Sequence, residues 1–383
     1  MTDTNSSTDT SASTGTAKAA VLYSVDTPLQ IRDDITVAAP QEGEVRVKMA
    51  ASGVCHSDVS VQNGTIPLAT PLVLGHEGAG VITEIGPGVT NRAVGDHVVL
   101  SWVPQCGECY FCTRGQGFLC EKNAAVSLGG LMDGTKRFST PDGELGQMAY
   151  CGTFASESIV PAMSTVKIPD DVPLGAAALI GCGVLTGVGA ALNTADIREG
   201  DSVVVIGCGG VGLNVIQGAR IAGATTIIAV DMFDSKLDMA KDFGATDVVN
   251  AGEGDPVAKV MELTGGRGAD VSFEVIGLGP TIDQAINMAR AGGEVVLVGV
   301  PRLDVMMNLN AAFTFLYTAK TIKGCWYGSA NVDTDVPRMI ELYQKGELKL
   351  DELISREIKV DEVNEAFEAM AAGEVARSVI IHD

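Results

Sequence analysis

The stretch SVVVIGCGGVGLNVIQGARIAGATTIIAVD, from Ser202 to Asp231, admits few folds. An apolar run, Val203 to Ile206, leads straight into Gly207, Gly209 and Gly212 in the pattern G-x-G-x-x-G. A helical stretch follows, then a second apolar run that ends in an acid. Strand, tight turn, helix and strand in that order make a parallel β-α-β unit. Its chemistry suits a dinucleotide. The glycines let the backbone approach a pyrophosphate, and the helix N-terminus, where Gly210 and Val211 stand, favours the negative charge. Asp231 lies nineteen residues past Gly212, the distance from which a carboxylate binds the adenosine ribose hydroxyls. It would repel a 2′-phosphate, so NAD is expected over NADP. Lys236, five residues on, is a candidate contact to the same ribose.

The alternation continues beyond Asp231. DSKLDMAKDFG, PVAKVMELTG and PTIDQAINMARAG read as helices, and TDVVN, ADVSFEVI and GEVVLVGV read as strands, with glycines at the breaks. That rhythm predicts a doubly wound parallel sheet. The region before it differs. Short Val- and Ile-rich segments such as EVRVKMAAS, GVITEIG and DHVVL, set apart by Gly and Pro turns, predict a mostly β domain. The C-terminal residues, with VPRMIELYQKGEL and VNEAFEAMAAGE helical in pattern, are expected to return to it. The fold class is therefore α/β, with a mostly β domain over 17–183 and 327–383 and a doubly wound domain over 184–326. Residues 1–16 are almost wholly small and polar and are expected to form a disordered tail.

The 383 residues carry a formal charge of -22. Phosphate backbones are met by Lys and Arg, so no nucleic acid or membrane partner is expected. No apolar run looks long enough for a membrane helix and no leader pattern opens the chain, which points to the cytoplasm.

Nine cysteines, an odd number, argue against a disulfide framework in such a compartment. Four of them, Cys106, Cys109, Cys112 and Cys120, stand in CGECYFCTRGQGFLC with the spacing C-x2-C-x2-C-x7-C. Four thiolates with no open position describe a structural tetrahedral zinc site. A ferredoxin-type run also uses four cysteines, but with another final spacing and a Pro at its end. Zinc fits better, and the lobe is expected to hold structure rather than perform chemistry. Further ligand types are dispersed: Cys55 in GVCHSDVS, His76 and Glu77 in LGHEGAG, and Cys182 in ALIGCGVLTG. Taken singly, each reads as a buried core side chain. If they converge, two thiolates and one imidazole make a catalytic zinc set whose fourth position is left to water or substrate.

Together the four-cysteine lobe, GVCHSD, GHE, IGCG and GCGGVG resemble the zinc-dependent medium-chain alcohol dehydrogenase family, over essentially everything after the tail. KGCWYG and GEVARSVI are similar to its class III-like, mycothiol-dependent formaldehyde dehydrogenase and related actinobacterial-type branches. The resemblance implies a GroES-like catalytic domain, an inserted Rossmann domain and an active site between them. It implies that Cys55, His76 and Cys182 bind the catalytic zinc, that Asp58 orients His76, and that Glu77 sits near the metal. Ser57 resembles the hydroxyl that hands the substrate proton onward. Some relatives end that path on a histidine three positions later, where this chain has Ser60, which leaves His56 or solvent as acceptor. His56 and Arg377 resemble the family's cofactor phosphate contacts. Trp102, Tyr150 and Trp326 fall where substrate-pocket residues usually lie, and they include both tryptophans of the chain.

The implied activity interconverts a primary alcohol, bulky or aromatic, and its aldehyde, by hydride transfer to NAD from an alkoxide held by zinc, with two zinc ions per chain. One alternative is a thiol-dependent formaldehyde dehydrogenase of the mycothiol or glutathione type. A more distant one is a non-catalytic zinc-containing binding protein. The segment between Cys120 and Gly152 is similar to that of dimeric relatives, so a homodimer is expected. His97 reads as a structural imidazole at a strand edge, and His382 as a tail residue.

Overall fold

The structure, a computed structural model, describes residues 14–123, 129–373 and 376–383, so most of the expected tail lies outside the described residues. The first strand, Gly15–Leu22, begins two residues earlier than expected, because Gly15 and Thr16 pair with Val37 and Thr36. It belongs to a closed barrel with Gln30–Val37, Phe138–Thr140, Gly143–Gln147 and Leu72–Val73.

A second, larger sheet is organised around Glu44–Val54, an eleven-residue strand buried along most of its length. Its first half pairs with Glu157–Pro161, its other edge with Glu77–Ile85, and its last residues with Arg377–Ile381. The chain's C-terminus thus returns to the mostly β domain. His382 is no tail residue: its Nε2 lies 3.0 Å from Ser52 Oγ and its backbone N–H donates to Ala50 at 3.0 Å. His97 opens the strand His97–Leu100.

The third sheet is wholly parallel. Its strands lie in the order Asp247–Asn250, Thr226–Asp231, Ser202–Ile206, Ala269–Glu274, Ala289–Leu297 and Thr321–Gly324. Every residue of Ser202–Ile206 is buried, as a central strand with both faces covered must be. The winding reverses between Ser202–Ile206 and Ala269–Glu274, and the crevice outside the carboxyl ends of strands at such a point is where ligands bind.

The two regions are joined by the helix Leu174–Thr194. Its 21 residues and mean hydropathy of 1.8 are enough to cross a membrane, but 83% of its most apolar window is buried within the fold. It is a core helix, and it contains the expected boundary at 183/184. Its regular winding widens into i→i+5 turns at Ile180–Val184 and Ala190–Thr194.

Burial pushes the His382 imidazole down from 6.5 to about 4, since a charged ring loses its hydration there. The neutral ring is the form the fold prefers. Its stabilisation is therefore complete above pH 6.5 and is lost as the pH falls towards 4. Denaturant melts of wild type and His382→Gln between pH 7 and pH 4 are expected to show the wild type losing stability relative to the variant; parallel curves would refute this.

Candidate active site

Three separate elements deliver the central cluster. Cys55 caps the short helix His56–Gln62, and its N–H donates to Asp58 Oδ2 at 2.8 Å. The other oxygen of that fully buried carboxylate, Oδ1, takes the His76 Nδ1 proton at 3.0 Å. One acid therefore sets both the Cys55 backbone and the His76 ring. His76 precedes the strand Glu77–Ile85, and Cys182 sits inside the first widened turn of the long helix. Such turns recur at functional sites, because they redirect a side chain without ending the helix. One donor atom each from Cys55, His76, Glu77 and Cys182 lies within 4.8 Å of the others, all four residues being buried.

The electrostatics favour a cation. With Nδ1 committed to Asp58, His76 Nε2 is left buried without a hydrogen-bond partner. A hydrogen bond from Cys182 holds Cys55 well below the ordinary thiol value, and the same bond raises Cys182. Burial opposes charge on His76, but the Asp58 carboxylate beside it holds its pKa well above 6.5. Burial also pushes Glu77 up to about 8, although Arg377 opposes this. Two thiols and an imidazole with a free ring nitrogen suit zinc.

Arg377 is buried on the same cluster. Its Nη2 stands 3.3 Å from Glu77 Oε1 and its Nη1 donates to the Val54 carbonyl at 3.2 Å. The guanidinium passes so close to Gly183 and Gly210 that a Cβ on either would lie 2.3 Å from one of its nitrogens. It therefore spans from the donor cluster to the first turn of the helix Gly210–Ile221. That helix has no side-chain cap at Gly209, which leaves its first N–H groups to a ligand. A Cβ on Gly209 would meet nothing within 4 Å, whereas one on Gly212 would fall 1.8 Å from the Gly207 carbonyl oxygen. Asp231 ends its strand with Oδ2 accepting from Cys208 N–H and Oδ1 from Met232 N–H, both at 2.8 Å. Val211 and Lys236 are half-buried, the Lys236 ammonium 5.1 Å from the Phe233 ring centre. Ser57 Oγ lies 3.8 Å from Cys55 Sγ, and His56 is exposed at the start of its helix.

Trp102 and Trp326, from opposite sides of the crevice, meet edge to face with ring centres 5.0 Å apart, and Trp102 is 6.4 Å from the His76 ring. Tyr150 belongs to another packed group. It is fully buried in the barrel core with Val73 and Phe138, while Met148 and Ala149 share the Trp102 cluster. The turn explains the exchange: Ala149 and Tyr150 take φ values of 52° and 62°, which swing the Tyr150 ring to the barrel side. Tyr327 escaped sequence reasoning. Its ring lies 4.7 Å from Trp102, and its hydroxyl donates to the Gly181 carbonyl at 2.6 Å, next to Cys182. Its only signal was its place beside Trp326.

The four-cysteine lobe forms a second donor set. One sulfur each from Cys106, Cys109, Cys112 and Cys120 lies within 4.8 Å of the others. Backbone N–H groups of Cys106 and Cys109 point at Cys120 and Cys106 sulfurs at 3.4 Å. Backbone hydrogen bonds from Cys112 and Glu121 pull the Cys109 thiol down to about 6. Burial has the opposite effect on two others, pushing the Cys112 thiol up to about 12 and raising Cys120.

Residues 41–170 match the alcohol dehydrogenase GroES-like domain, and residues 210–345 match the zinc-binding dehydrogenase domain. The chain is 40% identical over 368 residues to an NDMA-dependent alcohol dehydrogenase of Amycolatopsis methanolica, covering 95% of this chain and 98% of that protein. It is 37% identical over 375 residues to an S-(hydroxymethyl)glutathione dehydrogenase of Paracoccus denitrificans, covering 95% and 99%. The crystal structure of benzyl alcohol dehydrogenase from Acinetobacter calcoaceticus superposes with a TM-score of 0.90 at 33% identity, covering 96% of this chain and 100% of that one. The chain belongs to the zinc-binding medium-chain alcohol dehydrogenases.

An alcohol dehydrogenase of this family is an oxidoreductase of small alcohols and aldehydes, and the two buried or half-buried donor sets fit zinc. Its glycine turn separates folding from cofactor binding. Gly209→Ala is expected to leave the melting temperature within about 2 °C while raising KM for NAD about tenfold, because its methyl enters open space where the pyrophosphate would lie. Gly212→Ala is expected to destabilise the fold itself by about 2 kcal/mol or more, because the carbonyl it meets is backbone. Thermal melts and NAD titrations that showed the same defect in both would overturn this division.

Proposed function

We propose that this dehydrogenase uses NAD and zinc to interconvert bulky or aromatic primary alcohols and their aldehydes. The observation that carries the reading is the convergence of Cys55, His76 and Cys182 beside the Trp102–Trp326 pair, at the winding reversal of the parallel sheet. When bound, zinc supplies a Lewis acid for the alcohol oxygen and NAD supplies the hydride acceptor. Cys55, His76 and Cys182 hold the first, and the four-cysteine lobe holds a second zinc that is structural. The glycine turn, Asp231 and Arg377 hold the second group. Ser57 takes the proton from the alcohol oxygen and passes it outward, and exposed His56 beside it delivers it to solvent. The indole edges of Trp102 and Trp326 offer a planar, apolar wall to a substrate ring. Similarity to a benzyl alcohol dehydrogenase supports that substrate class.

The reading includes a cytoplasmic homodimer. Leu303, Met306, Phe313, Leu316 and Tyr317 are between 70% and 85% exposed, and they adjoin the edge strand Thr321–Gly324. Exposed apolar side chains beside the strand that ends the parallel sheet among the described residues suit a second copy of the same surface. Sedimentation is expected to give a dimer for wild type and a folded monomer for Phe313→Asp with Leu316→Asp; an unchanged mass for that variant would place the interface elsewhere.

Metal analysis is expected to find two zinc per chain. Cys182→Ala is expected to lose about a thousandfold or more in kcat with benzyl alcohol, the several kcal/mol a Lewis acid contributes, while its circular dichroism stays native. Full activity in that variant would refute the ligand role. Turnover of thiol adducts of formaldehyde in place of benzyl alcohol would give the active site to the glutathione-type substrate.

A further inference from the structure

We propose that Tyr327 is a positioning residue for the catalytic metal, its hydroxyl holding open the widened helical turn that presents Cys182. The inference rests on the reading of Cys182 as a zinc ligand. In a regular α-helix the Leu185 N–H would donate to the carbonyl of Gly181, one turn back. Here it is drawn to the carbonyls of Ile180 and Cys182, so the Gly181 carbonyl loses its regular donor. The Tyr327 hydroxyl takes that place, donating to Gly181 at 2.6 Å across 146 residues of sequence. That carbonyl and the Cys182 nitrogen belong to one peptide group. The phenol therefore grips the backbone of a metal donor directly. On its other side the peptide is pressed against a strand end, since a Cβ on Gly181 would fall 2.2 Å from the Leu100 carbonyl oxygen. Ser101, the next residue, has its Oγ 3.1 Å from the phenolic oxygen.

Tyr327 sits in a left-handed turn. Tyr327, Gly328 and Ser329 take φ values of 54°, 67° and 49°, and such backbone persists only where the surroundings over-determine it. They do so here. Cys325 N–H donates to the Leu297 carbonyl at 2.9 Å, Asn193 Nδ2 donates to the Gly328 carbonyl at 3.2 Å, and the Thr194 and Ser329 hydroxyls lie 2.8 Å apart. Gly328 is pressed so close to the long helix that a Cβ on it would fall 2.0 Å from the Leu185 carbonyl oxygen. The buried ring packs 4.7 Å from Trp102. The place of Tyr327 is thus fixed without its hydroxyl. Removing the hydroxyl leaves the segment where it is and changes only the bonding of the turn it touches. A buried carbonyl without its donor is costly, so the turn relaxes towards regular winding, with the Leu185 N–H returning to Gly181. The Cys182 sulfur then turns away from Cys55 and His76.

Tyr327→Phe keeps the ring and removes only the hydroxyl, and zinc release to a chromogenic chelator, counted per chain, reads the consequence. Cys182→Ala is expected to hold one zinc fewer than wild type, which assigns the missing release step to the site of Cys55, His76 and Cys182. In Tyr327→Phe that step is expected at about tenfold lower chelator concentration, the worth of a group that orients a metal ligand. The release from the four-cysteine lobe should stay at the wild-type concentration. Ser101→Ala removes the neighbouring hydroxyl but leaves the bond to Gly181, and it is expected to match wild type within about twofold. An unmoved step in Tyr327→Phe, or an equal shift in Ser101→Ala, overturns the positioning role while the ligand reading stands. Undiminished zinc in Cys182→Ala overturns the ligand reading itself, however Tyr327→Phe behaves.

Discussion

The structure depends on one constraint: two thiols, an imidazole and a carboxylate are sealed from water within 4.8 Å of one another. A buried polar atom without a partner costs about 1–3 kcal/mol, and crowding several ionisable groups multiplies the cost. A divalent cation reverses the sign of that cost, because every donor that repels its neighbours attracts the ion. Metal binding at the cluster then adds to the stability of a fold that packing already holds together. The cluster draws on a helix cap, a strand start and a widened helical turn, so it forms only when barrel, large sheet and long helix are packed together. Asp58 shows how tight the demand is, for a single carboxylate serves both the Cys55 backbone and the His76 ring.

The same constraint ties the donor cluster to the cofactor crevice. Cys182 is carried by the helix Leu174–Thr194 that runs from one region into the other, so the metal donors and the parallel sheet are joined by rigid backbone rather than a linker. Arg377 makes a second connection. It comes from the C-terminal strand, pairs with Glu77 beside the donors, and lies against Gly210 at the start of the helix Gly210–Ile221. Replacing either glycine it touches would push the guanidinium away from one partner or the other. The C-terminal strand is thereby part of the site, although it is the last element of the fold.

Signals of short range in sequence were legible. The strand, glycine turn, helix and acid of Ser202 to Asp231 declare themselves through periodicity and spacing, and the parallel sheet follows where its pattern repeats. The four-cysteine lobe is equally local. Cys55, His76 and Cys182 are not, and only the family resemblance joined them before the structure did. Tyr327 left no mark beyond its place beside Trp326, since its partner Ser101 lies 226 residues away. Tyr150 packs in the barrel core at a turn with two consecutive positive φ values, which no hydrophobic pattern records. Gly15 and Thr16 entered a strand despite their polarity, since ladder hydrogen bonds use backbone and disregard side chains. His382 followed the same logic, held by strand pairing next to Ala50 and Ser52.

The acidity of the chain poses a final problem, for an anionic cofactor must approach a protein of formal charge -22. Screening settles the long-range part. At physiological ionic strength charges separated by more than about 8 Å hardly interact through solvent, so the scattered surface carboxylates contribute little inside the crevice. The positive groups that the crevice offers are local: the uncapped N–H groups of the helix Gly210–Ile221 and the guanidinium of Arg377. Glu77 offsets part of that guanidinium charge, but burial pushes the Glu77 carboxyl up to about 8, so near neutrality much of it is protonated until a cation joins the donor cluster. Glu77 thus lies between the donor cluster and the guanidinium that reaches the helix, away from the surface charge, which is left to serve solubility.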